Sequence, residues 1–254
     1  MIDTIQIHDL SFRYADEERL VLQGVDVRIS ADQIVAVLGN NGSGKTTLLL
    51  MLLQRLLPQQ GQILFSGENG GDGSPYRIGY LPQIEKVPFG FTIQEYILMG
   101  RFPWIERFHM PEKADQDKVH EVMEQLDILP MARKHLQDVS GGELQKVRIA
   151  RMLAQEPDLF LMDEPANHLD LKNRVELLKI IKKLKDNKKI VIFTTHEPND
   201  AVEIADQVLL MRQGHKIAFG ETRRVLNQET LQKTFDIPIT IQMVKQKPYI
   251  LPGG

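Results

Sequence analysis

The chain has 254 residues, a formal net charge of −3 and no cysteine. The absence of cysteine excludes a disulfide scaffold, a thiolate metal site and a cysteine nucleophile. The balanced charge argues against a protein that binds the nucleic acid backbone. The first residues lack the basic and apolar regions of a signal peptide, and no apolar run approaches the ~20 residues that cross a bilayer. We therefore expect a soluble, cytosolic chain.

The predicted elements begin with short alternating segments. Apolar residues at every second position around residues 5–10 and 25–29 predict half-buried antiparallel strands. Residues 34–38 are apolar on both faces, which is typical of a strand inside a parallel sheet. A glycine-rich turn follows, and then a helix is predicted over residues 46–57, ending at Pro58. The clearest loop is predicted for residues 67–75, which contain four glycines and a proline.

The second half of the chain alternates between strands and helices. Buried strands are predicted at residues 159–162 and 190–193, with apolar positions at helical spacing between them at residues 171–181. This alternation predicts a doubly wound α/β sheet. Residues 87–153 contain helical patterns and no convincing strand, so we expect a helical subdomain inserted into a single domain spanning 1–254. Residues 237–254 predict an edge strand and a tail. The helices predicted within the insertion cover residues 92–99, 114–126 and 143–153.

A phosphate-binding loop is predicted between the strand at 34–38 and the helix that follows. The residues Gly39-Asn-Asn-Gly-Ser-Gly-Lys-Thr46 match the pattern G-x-x-x-x-G-K-[ST] in the required strand and helix context. Glycines let the backbone N–H groups turn onto phosphate oxygens, and the helix dipole favours the same anion. Lys45 is expected to reach the β- and γ-phosphates, and the Thr46 hydroxyl to ligate Mg²⁺.

Two carboxylates end the buried strand at 159–162. Asp163 and Glu164 lie where parallel sheets bind ligands, at the carboxyl end of a strand. Asp163 is predicted to hold Mg²⁺, directly or through water, and Glu164 to orient and deprotonate an attacking water. The alternative is a strand that merely leaves the core through polar residues.

The turn Val139-Ser-Gly-Gly-Glu143 precedes another predicted helix. Ser140 and Glu143 have the spacing of a capping box, which is sufficient to explain a helix start. A sharper hypothesis is a second anion site, built by Ser140 and the N–H groups of Gly141 and Gly142 at the helix N-terminus. Spacing alone does not decide between these two interpretations.

The phosphate loop, the Ser-Gly-Gly turn and the Asp163–Glu164 pair, in this order, resemble an ATP-binding cassette (ABC) ATPase. The resemblance covers residues 3–236 and implies a P-loop NTPase core with an antiparallel β subdomain and the inserted helical subdomain. Two departures, Val139 where leucine is usual and Glu143 where glutamine is usual, put little in doubt.

Four further positions match the family pattern. The resemblance implies that Tyr14 stacks on adenine and that Gln83 touches Mg²⁺ and the attacking water. It implies that Asp170 crosses a dimer interface and that His196 contacts the γ-phosphate. Each has an ordinary structural alternative, such as an exposed strand-end aromatic, a solvated amide or a structural histidine.

The resemblance also implies ATP and Mg²⁺ as cofactors and divides the site residues into four groups. The catalytic group is Glu164, His196, Gln83 and Lys45, and the metal ligands are Thr46, Gln83 and Asp163. ATP is bound within one chain by Tyr14, Gly39, Asn40, Asn41, Gly42, Ser43, Gly44, Lys45, Thr46 and Thr47. The opposite subunit contributes Ser140, Gly141, Gly142, Glu143 and Asp170.

The family mechanism implies a homodimer, because the chain has one phosphate loop and one Ser-Gly-Gly turn. ATP would be sandwiched head to tail between two copies. Transport would require separate permease subunits and an extracytoplasmic substrate-binding protein, which places the chain at the cytoplasmic face of the membrane. No nucleic acid partner is expected.

The segment 92–104 and the ending around residues 235–252 resemble ATPases of iron-siderophore, haem and cobalamin importers. ATPases of zinc and manganese importers are an alternative, as is a non-transport ABC ATPase such as an iron–sulfur assembly factor.

Residues 89–104 contain five aromatic side chains, which suggests a groove for a permease helix, although they could instead form the core of the small subdomain. The lysine-rich residues 182–189 are interpreted as a solvated helix end.

Overall fold

The computed structural model describes residues 1–67, 76–86, 89–106, 108–185 and 189–253. Its strands are β1 (Thr4–Phe12), β2 (Leu22–Ser30), β3 (Gln33–Leu38), β4 (Gln60–Ser66), β5 (Ile78–Leu81), β6 (Leu159–Met162), β7 (Ile190–Thr195), β8 (Gln207–Arg212), β9 (His215–Glu221), β10 (Ile239–Val244) and β11 (Lys247–Pro252). Its α-helices are α1 (Lys45–Leu52), α2 (Ile93–Leu98), α3 (Lys113–Gln125), α4 (Gly141–Ala154), α5 (Leu171–Lys183), α6 (Pro198–Ile204), α7 (Thr222–Val225) and α8 (Gln228–Phe235).

The central sheet has the strand order β5-β6-β7-β3-β8-β9. All neighbouring pairs are parallel except β8 with β9, which is antiparallel. A second sheet, β2-β1-β4, is antiparallel, as the alternating sequence predicted for β1 and β2. The expected α/β core with an antiparallel β layer is therefore confirmed.

Strand β3 explains why the core has two parts. Its residues Ile34, Ala36 and Leu38 belong to the apolar cluster that contains the buried faces of α2–α6. Val35 and Val37, pointing to the other face, belong to the cluster formed with β1, β2 and α1. A strand covered on both faces must be apolar throughout, which is why residues 34–38 lack the alternating pattern.

The helices expected within residues 87–153 are present as α2, α3 and α4, between β5 and β6. In the described part of this stretch the strand-like pairing is confined to one bridge, Thr92 with His135. Helix α4 also packs onto the central sheet, since Val147 and Ile149 share the core cluster of β3. A separate subdomain with boundaries at 87 and 153 thus stays a prediction.

The end of the first helix was predicted wrongly. The helix stops at Leu52, five residues before the predicted Leu57, and Gln54 adopts a positive φ of 59°. Leu57 is 80% exposed, so it does not extend the buried face of α1. The sequence signals no stop before Pro58, because the left-handed residue is a glutamine rather than the glycine or asparagine that usually marks a helix end.

The ending was also predicted wrongly as one edge strand and a tail. Strands β10 and β11 form their own two-stranded antiparallel hairpin, separate from the central sheet. Its two-residue turn places Lys245 and Gln246 at positive φ values of 49° and 66°. Such turns normally carry Asn-Gly, so no hairpin signal is present at these two residues.

Three expectations extend beyond the described residues. The loop predicted for 67–75 lies outside them from residue 68 onward, and so do residues 186–188 of the lysine-rich stretch and residue 87 at the predicted start of the insertion. Among the helices that are described, none is long and apolar enough to cross a membrane.

Candidate active site

The predicted site residues converge because of the sheet order. Strands β5, β6, β7 and β3 are neighbours and parallel, so their carboxyl ends lie along one edge. The register aligns these ends, pairing Leu81 with Met162 and Leu38 with Thr195. The loops that follow these strands carry Gln83, Asp163–Glu164, His196 and the phosphate loop, so segments distant in sequence meet at one place.

The phosphate loop requires glycine for two different reasons. A Cβ on Gly39 would lie 2.3 Å from the carbonyl oxygen of Met211, so only glycine fits this close backbone approach. Gly44 caps α1 with φ at 98°, a conformation that other residues rarely adopt. The buried Ser43 hydroxyl oxygen has no hydrogen-bond partner in the described chain.

Lys45 is buried at the start of α1, with its ammonium group held by the loop itself. Its Nζ donates to the carbonyl oxygens of Gly39 at 2.8 Å and Asn40 at 3.2 Å. Burial lowers the pKa of Lys45 from its usual value, and the nearby Glu164 and Asp163 carboxylates oppose that shift. A cation of this kind is fixed in place before any ligand arrives.

Asp163 and Thr46 bring oxygen ligands together. The Thr46 hydroxyl donates to Asp163 Oδ2 at 2.8 Å, and Thr194 donates to Asp163 Oδ1 at 2.6 Å. One carboxylate and one hydroxyl fit Mg²⁺, which takes few protein ligands and completes its shell with water and phosphate oxygens. Consistently, the described residues contain no cluster of three or more acidic, histidine or cysteine side chains that could hold a metal alone.

Glu164 is the point where most of the predicted catalytic residues meet. Its carboxylate lies 3.6 Å from Lys45 Nζ and 3.4 Å from His196 Nδ1. It accepts hydrogen bonds from the Gln83 amide at 3.2 Å and the Asn167 amide at 3.1 Å. The side chain is largely buried, although Gln83 is exposed. This arrangement orients a carboxylate at the end of β6 beside a fixed cation.

The backbone at Glu164 is held in an uncommon conformation. Its φ is 45°, a left-handed value that costs free energy for a residue with a side chain. The Thr194 hydroxyl accepts a hydrogen bond from the Glu164 N–H at 2.8 Å while donating to Asp163. One threonine on β7 therefore fixes both carboxylate residues.

Tyr14 lies beside the start of α1. Its hydroxyl is 3.2 Å from the Thr47 hydroxyl, and its ring packs edge to face on Phe12 with the centroids 4.9 Å apart. The ring is half-buried, so part of it stays available next to the phosphate loop. The structure thus joins the predicted aromatic to the loop residues.

The Ser-Gly-Gly turn forms a complete capping box at the start of α4. The Glu143 N–H donates to Ser140 Oγ at 3.3 Å, and the Ser140 N–H donates to the Glu143 carboxylate at 2.8 Å. Ser140 and Gly141 are exposed, whereas Gly142 packs on the Asn173 side chain. No hydrogen bond between two described residues joins this turn to the phosphate loop at 39–47.

Asp170 also has a structural role within the chain. Its carboxylate accepts the Asn173 N–H at 2.8 Å and caps α5. Because Asn173 packs on Gly142, the two predicted contributions to an opposite subunit are neighbours. The structure therefore separates the predicted residues into one group around Glu164 and another around Ser140 and Asp170.

Sequence reasoning missed Thr194 and Asn167 as members of the site. Thr194 is the first polar residue after the apolar residues 190–193 of β7, the same signal that identified Asp163 after β6. Asn167 follows Glu164 by three residues, and only the turn after β6 brings its amide back to the carboxylate.

Comparisons with known proteins agree with the family that the sequence resembles. The family model described as ABC transporter matches residues 22–167. The chain is 34% identical over 249 residues to the molybdate import ATP-binding protein MolC of Haemophilus influenzae, covering 97% of this chain and 94% of the relative. It is 31% identical over 248 residues to the petrobactin import ATP-binding protein FpuC of Bacillus anthracis, covering 94% of this chain and 90% of the relative.

The fold is similar to a solved metal-chelate type ABC transporter in an inward-facing conformation. The TM-score is 0.89 at 32% identity, and the match covers 100% of this chain and 98% of that chain. The family model and the relatives agree over more than half of the sequence. The chain therefore belongs to the ABC transporter family, as an ATP-binding subunit with ATPase activity coupled to transport.

Proposed function

We propose that the residues gathered around Glu164 bind Mg-ATP and hydrolyse it. The observation that carries this proposal is the convergence of Lys45, Gln83 and His196 on one buried carboxylate. The phosphate chain would lie on the N–H groups of residues 39–47 at the N-terminus of α1, with Lys45 at its β- and γ-phosphates. The unsatisfied Ser43 hydroxyl offers another hydrogen-bond donor to a phosphate oxygen.

Each residue has a distinct role in this proposal. Thr46, Asp163 and Gln83 would hold Mg²⁺, which would neutralise charge on the β- and γ-phosphates. Glu164 accepts a proton from the attacking water, and Gln83 and His196 orient that water and the γ-phosphate. Tyr14 stacks on the adenine ring.

The second half of the site would come from another copy of the chain. Ser140 and Gly141 at the N-terminus of α4 are exposed, and no hydrogen bond between described residues joins them to the phosphate loop, which favours a head-to-tail homodimer. In such a dimer Ser140, Gly141, Gly142, Glu143 and Asp170 face the partner's ATP. ATP stabilises the closed dimer because it contacts both copies only there.

Glu164→Gln tests the proposed base and dimer together. The variant keeps the volume and the hydrogen-bond acceptor but cannot take a proton, so we expect ATP binding with hydrolysis reduced by on the order of 10³-fold. With Mg-ATP it should run as a stable dimer in size exclusion with light scattering. Lys45→Ala, which should not bind ATP, is the control and should stay monomeric. A Glu164→Gln chain that hydrolyses ATP at the wild-type rate contradicts the assignment of the base.

The relatives support uptake of a metal chelate as the transport function. Petrobactin import is the function in the name of the Bacillus anthracis relative, and the solved transporter is of metal-chelate type. Molybdate is a second candidate cargo, favoured by the Haemophilus influenzae relative. Uptake of radiolabelled ferric siderophore and of molybdate, in cells with and without Glu164→Gln, distinguishes the two.

Exposed aromatic residues support docking to permease subunits at the cytoplasmic face of the membrane. Of the five aromatic side chains in residues 89–104, Tyr96 alone is fully buried, while Phe89 is 88% and Phe102 61% exposed. Apolar rings in water are typical of a surface that receives a partner helix. A substrate-binding protein on the far side would deliver the chelate to the permease.

Phe89→Asp and Phe102→Asp test this docking surface. We expect each to move the chain from the membrane pellet to the supernatant of its native cells, with ATP binding by the purified chain unchanged. Leu57→Asp is the matched control, because Leu57 is an equally exposed apolar residue outside the surface. Equal membrane association of all three variants contradicts the proposal.

A further inference from the structure

Arg148, in the middle of α4, holds the chain on both sides of Gln83. Its Nη2 donates to the carbonyl oxygen of Pro82, and its Nε donates to the Glu85 carboxylate at 3.1 Å. Within the described chain the exposed Gln83 side chain makes a single hydrogen bond, to Glu164. The position of Gln83 therefore depends on how Pro82 and Glu85, on either side of it, are held.

Glu85 is the centre of a nearly buried cluster of charged and aromatic side chains. Its carboxylate lies 2.7 Å from Arg151 Nη2 and accepts the Tyr96 hydroxyl at 3.0 Å. The Arg151 guanidinium stacks over the Tyr96 ring at 4.5 Å. The Glu85 and Arg148 side chains are 15% and 10% exposed, so each charge relies on the other because little water solvates them.

The same stretch of α4 also reaches the chain beside Glu164. Gln145 accepts a hydrogen bond from Arg148 Nη1 at 2.9 Å and donates to the carbonyl oxygen of Pro165 at 2.7 Å. Pro165 directly follows Glu164 in the sequence. Side chains of α4 thus form hydrogen bonds both to the residues beside Gln83 and to the residue beside Glu164.

We propose that Arg148 and Glu85 are positioning residues for ATP hydrolysis, which act by holding Gln83 against Glu164. The inference rests on the proposed role of Gln83 at the attacking water. A buried arginine that binds a carboxylate and a carbonyl oxygen fixes the direction as well as the distance of the loop. Small displacements of an orienting group slow a reaction strongly because they remove the near-attack geometry.

The test is a double-mutant cycle on the full chain, with Glu85→Ala, Gln83→Ala and both together. We expect Glu85→Ala to lower kcat on the order of tenfold with KM for ATP within about twofold, since the phosphate loop is untouched. In the Gln83→Ala background the same change should have little further effect on kcat, because both substitutions remove one function.

Asp115→Asn is the matched control. Asp115 pairs with Arg101 at 3.0 Å, and these side chains are 11% and 9% exposed, so the pair is as buried as that of Glu85 and Arg148. Neither side chain forms a hydrogen bond or ion pair with the described residues 82–86. For Asp115→Asn we expect a fall in Tm comparable to that of Glu85→Ala, with kcat unchanged. If Glu85→Ala does not fold, Glu85→Gln, which keeps the volume and one acceptor oxygen, replaces it in the cycle.

Two results overturn the inference in distinguishable ways. If Gln83→Ala hydrolyses ATP at the wild-type rate, the proposed role of Gln83 fails, and the positioning role fails with it. If Gln83→Ala lowers kcat and Glu85→Ala lowers it further by the same factor as in the wild-type chain, only the positioning role fails. The same conclusion follows if Glu85→Ala and Asp115→Asn lower kcat equally.

Discussion

The two ends of the candidate site are built in opposite ways. Around Glu164, side chains bond to one another and to the backbone, as Thr46 does to the buried Asp163 at 2.8 Å and the buried Lys45 does to the Gly39 carbonyl oxygen at 2.8 Å. At the other end Ser140 is exposed, and among the described residues the Ser140 and Glu143 side chains form hydrogen bonds only with each other's residue. We call the residues around Glu164 the finished end of the candidate site and the turn at Ser140 its exposed end.

This difference follows from the elements that carry each end. Parallel strands place their loops at one sheet edge whatever the side chains do, whereas Ser140 and Gly141 at the start of α4 face solvent. Substitutions in the phosphate loop should therefore destroy nucleotide binding, whereas substitutions at Glu164 or Gln83 should slow hydrolysis and spare binding. Substitutions at the exposed end should spare folding and binding and affect only what requires a second copy.

Lys45→Ala should have the largest effect. The substitution removes a buried cation that lies 3.6 Å from Glu164, so we expect ATPase activity to fall by at least on the order of 10²-fold, as for other fixed transition-state donors. Binding of a fluorescent ATP analogue should be lost as well. If the variant still binds the ATP analogue and loses only hydrolysis, the affinity of the finished end for ATP does not depend on Lys45.

Gly141→Asp should abolish ATP hydrolysis while leaving the chain folded and able to bind ATP. A Cβ at Gly141 meets nothing within 4 Å, and an acidic residue in the first turn is favourable for a helix. Tm should therefore stay the same or rise slightly, and ATP should still bind. The new carboxylate would repel the partner's γ-phosphate, so the ATP-dependent dimer should not form.

Mixing the two variants sharpens this contrast. A mixed dimer of Lys45→Ala and Gly141→Asp chains contains one site with both defects and one with neither, provided that the halves come from different copies. We expect the mixture to recover measurable ATPase activity that neither variant shows alone. A mixture as inactive as its components would contradict the head-to-tail arrangement.

The sequence predicted the finished end better than it predicted the details around it. Gly39, Lys45 and Asp163 follow buried strands, and backbone rules alone place them at one edge. Thr194 and Asn167 escaped because their roles depend on side-chain directions that only the folded β7 and the turn after β6 define. Arg148 escaped for the same reason, since its partners Pro82 and Glu85 are more than sixty residues away.

The errors in the fold have one physical cause. Gln54 lies two residues after the end of the first helix and the last hairpin turns at Lys245 and Gln246, all with positive φ. Residues with side chains adopt this conformation only when the surrounding structure compensates for its cost. Local sequence rules therefore assign such positions to the preceding helix or strand.

Ser140→Ala should lower folding stability only slightly, and the pH dependence of this loss identifies the interaction removed. The Ser140 N–H and hydroxyl lower the pKa of Glu143, so the folded state favours the ionised carboxylate. The stabilisation is therefore present above the unfolded pKa of about 4.3 and is lost as pH falls through the folded value. At pH 7 we expect a loss of about 1 kcal/mol, or roughly 2–4 °C in Tm. Thermal unfolding followed by circular dichroism should show this penalty shrinking in acid, and a penalty independent of pH would assign it to the hydroxyl cap alone.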